Sequence, residues 1–120
     1  MTILSVDADA GTAVLEFTCR PEFCHSGGKV AQGGYVTAWM DAAMAHAVML
    51  CSGQKQSIAS LDISVRFLER VGPGKVRSQG RIVRKGRRVA FLEASLHDTQ
   101  GRLLATATSS GLLIEFSSEG

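Results

Sequence analysis

The sequence predicts an α+β fold in which an antiparallel sheet carries one long helix on one face. Three observations predict it. The run from Tyr35 to Cys51 is built of Ala, Met, Val, Leu and Trp, with Gly33-Gly34 before it and Ser52-Gly53 after, and reads as one helix of about five turns. A strand-like segment precedes it and four follow it. Short turn sequences separate the later strands, close enough to join antiparallel neighbours. One helix among five strands makes a two-layer α+β domain. The 120 residues, 45% of them hydrophobic, suit one compact domain over residues 1–120.

Residues 12–19 (TAVLEFTC) alternate as a strand, and Pro21 ends it because proline removes a ladder donor. A Gly-rich loop runs from His25 to Gly34. Along the helix, Val36, Met40, Ala43, Ala47 and Leu50 form a core stripe. The opposite side, Thr37, Ala45 and Val48, is also small or apolar, so the helix is expected to be covered nearly all round. The later strands are 57–70, 75–84, 88–97 and 102–114, separated by Gly72-Pro73-Gly74, Lys85-Gly86-Arg87 and Asp98 to Gly101. They are expected to run as a meander. The small-residue segment Ala105 to Ser110 would make a poor free edge, which predicts edge-to-edge or face-to-face dimerisation.

Composition excludes several classes. Charged residues at 20% and only 2 prolines argue against disorder. The longest weakly polar stretch, Tyr35 to Leu50, contains Asp41 and His46 and is shorter than the ~20 apolar residues of a membrane span. Asp7 and Asp9 stand where a signal peptide needs apolar residues, so the chain reads as cytoplasmic. Cys19, Cys24 and Cys51 show neither CxxC nor Cys/His ligand spacing, which implies reduced thiols and no metal. None has a paired His, so a thiol nucleophile is not expected. The net charge of +2 hides a basic segment, Arg66 to Arg88, in which nine basic side chains meet one acid, Glu69. Such a segment suits a phosphate-bearing partner, or simply forms a solvated sheet face.

Asp41 is the only charged residue between Gly33 and Cys51, in mid-helix, where Asp has poor propensity and cannot cap. It reads either as a reactive carboxylate in a partly dry cleft or as an Asp hydrogen-bonded to a partner chain. Gly33-Gly34 opens the helix, where unpaired N–H groups and the positive end of the helix dipole favour a developing oxyanion. A tight strand-to-helix turn would require the same glycines. His46 reads as a packing or hydrogen-bonding residue, and His97 as a solvated turn residue. Trp39 and Met40, Met44 and Met49 read as core or dimer contacts.

The segments GGKVAQGGYVTAWMDAAMAHAV, SLDISVRFLERVGPGKV, VRKGRRVAF and HDTQGRLLATATSSGLL resemble the PaaI-like acyl-CoA thioesterases of the hotdog-fold superfamily, from about Gly11 to Leu113. The resemblance implies a sheet wrapped around one long central helix. It also implies a loop ending in His-Gly-Gly, with an acidic residue eight positions after the first Gly, the spacing of Gly33 and Asp41. By the same resemblance, Asp41 is the catalytic carboxylate, as general base or nucleophile, and the Gly33 N–H polarises the thioester carbonyl. Ser60 matches a Ser/Thr that helps place the water. The acid and the Gly of one site come from different subunits of a homodimer, and such dimers often pair into homotetramers. Two positions depart from the pattern. Gln32 replaces the usual His and cannot titrate. The usual Asn becomes His25 in the register of Gly28, with Ser26 the competing match. A hydroxyl found in another hotdog branch four positions after the acid is Ala45 here.

These readings together predict hydrolysis of acyl-CoA, or acyl-carrier-protein, thioesters without metal or redox cofactor. Arg84, Lys85, Arg87 and Arg88 cluster around a Gly turn and would meet the phosphates of coenzyme A. No membrane or nucleic-acid partner is expected. Three alternatives remain open: an acyl-CoA binder without turnover, a hydratase or dehydratase using His25 with Asp41, and a nucleic-acid module. The last rests only on the basic segment, which has just Phe67 and Phe91 as nearby aromatics.

Overall fold

The computed structural model describes residues 1–116. In chain order the elements are β1 (Thr2–Asp7), β2 (Thr12–Cys19), a 3-10 turn (Pro21–Phe23), β3 (Cys24–His25), β4 (Val30–Ala31) and α1 (Gly33–Cys51). Then come β5 (Gln56–Phe67), β6 (Gly74–Lys85), β7 (Val89–Asp98) and β8 (Leu103–Glu115). Six strands form one antiparallel sheet in the order β1-β2-β6-β7-β8-β5, and β3 with β4 makes a separate small hairpin. One long helix on a large antiparallel sheet is the expected architecture.

The helix is longer than expected by its two opening glycines. Gln32 is its N-cap residue, and Tyr35 and Val36 donate back to the Gln32 carbonyl. It stops at Ser52, followed by Gly53 and Gln54 in the left-handed region (φ 66° and 64°). Val36, Trp39, Met40, Ala43, Met44, Ala47 and Val48 are buried against the sheet, together with Leu15 of β2 and Leu96 of β7. Trp39 and Met44 are therefore core residues. Val48 replaces Leu50 in the fully buried stripe, and Leu50 is only half-buried.

Gly80 of β6 sets how closely helix and sheet approach. A Cβ at that position would lie 2.2 Å from the Ala43 carbonyl oxygen, so the strand lies directly against helix backbone. The other side of α1 is left partly open among the described residues, not covered all round. Gly33, Gly34 and Ala38 are exposed, and Thr37, Asp41 and Ala45 are half-buried.

Three further features differ from expectation. β1 adds a sixth strand to the main sheet. All its residues are exposed, so main-chain pairing to β2 holds it and it carries no buried hydrophobic pattern. β5 and β6 are not hairpin neighbours: residues 68–73 cross over, and β5 pairs with β8 on the far side of β7. Consequently the Ala105 to Ser110 segment is not an edge, since β8 lies between β7 and β5. The open edges are those of β1 and β5. β5 carries exposed Leu61 and Phe67.

Candidate active site

Asp41 lies on the third turn of α1, facing β5. Its Oδ1 accepts a hydrogen bond from the Ser60 hydroxyl at 3.0 Å, across 19 positions of sequence. Ser60 can reach it because its strand partner is Gly111, which adds no side chain to that face. A Cβ on Gly111 would come within 2.5 Å of the Ile58 side chain, so the glycine also lets β5 pack tightly on β8. The hydroxyl engages one carboxylate oxygen, and the other has no hydrogen-bond partner among the described residues.

Gly33 stands at the first helical position, and neither its N–H nor that of Gly34 has a protein acceptor among the described residues. Beside it lies Phe67 of β5, a residue the sequence reading considered only as a neighbour of the basic segment. A Cβ on Gly33 would sit 3.1 Å from the Phe67 ring. Together with Val30, Val36, Leu68 and Val71, these two residues line an open, largely apolar cleft of about 510 Å³ at the helix N-terminus.

The hairpin ahead of the helix is tied to it by main chain. The Gln32 N–H donates to the Phe23 carbonyl at 3.0 Å and the Ala31 N–H to Val71 at 2.7 Å. The Gln32 side chain makes no capping bond. His25 and Ser26 meet each other, Nδ1 to Oγ at 2.8 Å, at the tip of the β3–β4 hairpin. Ser26, Gly27 and Gly28 all take positive φ there (56°, 73° and 79°), which builds the tip. No hydrogen bond joins His25 or Gln32 to Asp41 within the chain.

Seven of the nine basic side chains of the basic segment fall into two groups. Glu16 pairs with Lys75 and Arg77 at 3.4 and 3.5 Å, and Glu93 with Arg81. These three cations are thus matched by acids from neighbouring strands. At the β6–β7 turn, Lys85 donates to the Gln56 amide oxygen at 2.7 Å. Arg84, Arg87 and Arg88 are exposed there and have no acidic partner among the described residues. Gln56 lies four positions before Ser60 in β5, so this cationic tip is about 13 Å from the Asp41–Ser60 pair along the strand.

The other two histidines make local contacts outside the site. His46 Nδ1 lies 2.7 Å from the Ala42 carbonyl one turn back, and His97 contacts Ser95 and Gly101. The Cys19 thiol is pushed up to about 11, chiefly by burial and also by its contact with Cys24. Burial also raises the Cys51 thiol. High-pKa thiols make poor nucleophiles, so Cys19 and Cys51 are unsuited to the chemistry. Among the described residues no group of His, Cys, Asp and Glu could hold a metal ion. Among them, too, no helix is long and apolar enough to cross a membrane.

The helix laid across a wide antiparallel sheet defines a hotdog-fold protein. The chain belongs to the Thioesterase superfamily, whose family model matches residues 28–105. A solved structure of a thioesterase-named, phenylacetic acid degradation-related protein of Ralstonia eutropha JMP134 is similar at 29% identity. The match covers 92% of this chain and 83% of that one, with a TM-score of 0.84. A Saccharolobus solfataricus protein named as an esterase is 27% identical over 91% of this chain and 76% of its own length. A Streptococcus mutans protein crystallised with acetyl CoA shares the fold, with a TM-score of 0.82 at 17% identity over 95% of this chain and 88% of that one.

Proposed function

We propose that this protein is an acyl-CoA thioesterase working as a homodimer, with each site built from two subunits. The observation that carries this reading is the Asp41 carboxylate held by Ser60, on the same helix whose start presents unpaired N–H groups about two turns away. Gly33 and Asp41 are eight helical positions apart, about 12 Å of rise, so within one subunit they cannot act on the same carbonyl. A second copy paired along the open edge of β5 would bring its own helix start to Asp41.

In that site the thioester carbonyl oxygen rests on the Gly33 N–H, where the helix dipole stabilises the developing negative charge. Asp41 takes a proton from water, and the water oxygen attacks the carbonyl carbon. Collapse of the tetrahedral intermediate breaks the C–S bond, and the departing thiolate takes up a proton to give free acid and CoA. Ser60 fixes the carboxylate's orientation. The cleft beside Phe67 accepts the acyl group, and Arg84, Lys85, Arg87 and Arg88 meet the CoA phosphates. The acetyl CoA bound by the Streptococcus mutans structure supports CoA esters as the substrate class.

A panel of aliphatic and aromatic acyl-CoAs, assayed for free thiol, tests the reading. Thiol release coupled to free acid is the expected result. Tight binding without release, or formation of an enoyl or hydroxyacyl product, would replace it with the binder or the dehydratase. Light scattering at micromolar protein should give at least twice the 12.7 kDa chain mass. A monomer would exclude the shared site.

A further inference from the structure

β5 changes face in its middle. Before Leu61, Ile58 and Ser60 point toward the helix and core. After it, Ile63, Val65 and Phe67 do. Regular alternation cannot place positions 58 and 60 on the same face as 63, 65 and 67. The switch is a bulge: the pairing with β8 jumps from Ser60↔Gly111 to Asp62↔Ser110, leaving Leu61 unpaired and 58% exposed. Asp62 therefore points to the outer face of the sheet, away from the helix, where it borders a shallow depression with Val83 and Phe91.

A bulge locally disrupts the ladder and leaves main-chain groups to be satisfied another way. Here Asp62 satisfies them. Its Oδ1 accepts both the Ser110 N–H, at 2.9 Å, and the Ser110 hydroxyl. Its main-chain carbonyl accepts the buried Ser109 hydroxyl at 2.7 Å. Two consecutive serines of β8 thus grip the residue that follows the bulge.

We propose that Asp62 is a positioning residue: its carboxylate pins the Leu61 bulge to Ser110, which holds Ser60 against Asp41 and Phe67 over Gly33 on one face of β5. The assignment rests on the reading of Asp41 and Ser60 as the reacting pair. Without the clamp Leu61 can enter the ladder, and a one-residue slip turns either Ser60 or Phe67 to the wrong face. Asp62 itself never touches the thioester.

The test compares Asp62→Ala, Asp62→Asn and Ser110→Ala with wild type, by steady-state kinetics on an acyl-CoA that wild type hydrolyses and by crystal structures. Asp62→Ala should lower kcat about 10- to 100-fold, the scale of a small misplacement in an active site, with little change in KM. Asp62→Asn keeps an acceptor oxygen and should restore most of kcat. Ser110→Ala, which keeps the main-chain donor, should fall between and guards against an Asp62→Ala protein that does not fold. In the Asp62→Ala or Ser110→Ala crystal, Ser60 should have left Asp41. Unchanged kcat in folded Asp62→Ala, or an equal loss in Asp62→Asn, would overturn the proposal. If wild type turns over no thioester, the functional reading fails. The structures still decide the positioning claim: Ser60 unmoved in both variants refutes it.

Discussion

Ser60 and Asp41, on a strand and a helix that the chain connects through a tight turn, are joined by a 3.0 Å hydrogen bond whose donor is the serine hydroxyl. The bond fixes a carboxylate that packing leaves half-buried, on a side of the helix that, among the described residues, meets β5 at Ser60. It also orders the two residues by role. Asp41 is the acceptor; on the proposed mechanism its other oxygen serves the water and Ser60 holds its orientation. Loss of Ser60 should therefore cost less than loss of Asp41.

Gly80→Ala should destabilise the fold more than any change in the site. The new methyl would lie 2.2 Å from the Ala43 carbonyl oxygen and 2.6 Å from the Met44 nitrogen, which are helix backbone and cannot rotate away. The helix must lift from β6, at a cost of at least about 3 kcal/mol, the upper end for overpacked cores. Thermal melting should show a Tm lower by more than about 10 °C. A Tm within a few degrees of wild type would mean that the helix rests elsewhere.

Much of the fold was legible in the sequence because most strands alternate and the helix is a long run of good helix formers, broken by a single charge, between Gly33-Gly34 and Ser52-Gly53. The Gly33–Asp41 spacing was legible for a similar reason: a lone acid stands out in an uncharged helix. What stayed hidden depended on main-chain pairing. β1 buries no side chain, so nothing marked it. The β8–β5 pairing and the crossover at residues 68–73 leave no local trace, because a Gly-Pro-Gly sequence serves a crossover as well as a hairpin. The bulge did leave a signal. Ile58 and the Ile63/Val65 pair are spaced by an odd number, which a single unbroken strand cannot place on one face. Phe67 at the helix start and Ser60 against Asp41 both depend on that bulge.

Arg87/Arg88→Ala should raise KM for a full acyl-CoA while kcat holds, as expected for binding remote from the reacting carbon. These side chains are exposed, so the wild-type KM should also rise with ionic strength. A short pantetheine thioester should lose that salt dependence. Equal efficiency with CoA and pantetheine esters, at unchanged KM in the double variant, would assign the tip to solubility alone.

Asp62 gives the protein an acid-sensitive component of stability. The Ser110 hydroxyl, and then the Ser110 main-chain N–H, hold its carboxyl below the usual carboxylate range. The folded state therefore binds this proton less readily than the unfolded state. Its contribution is fully present above the ordinary Asp range, near pH 4, and is lost as pH falls through the depressed value. Urea unfolding at neutral and acid pH should show a smaller acid loss in Asp62→Asn than in wild type. Parallel losses would contradict the clamp at Ser110.

Native-state thiol labelling should spare Cys19. It is 1% exposed and its thiol is pushed up to about 11, by burial first and by the Cys24 contact second. Iodoacetamide at neutral pH, followed by peptide mass analysis, should modify Cys24 ahead of Cys19. Labelling of Cys19 as fast as Cys24 would mean that the β2 end opens readily in the native state.

Asp41→Asn asks whether Asp41 is the base of the proposed reaction. The substitution keeps size and the acceptor oxygen for Ser60 but removes the base. In a variant shown to be folded and of wild-type mass, kcat for an acyl-CoA should fall by at least about 100-fold, the lower end of what a positioned general base supplies, while KM changes little. Near wild-type turnover by folded, dimeric Asp41→Asn would contradict the account.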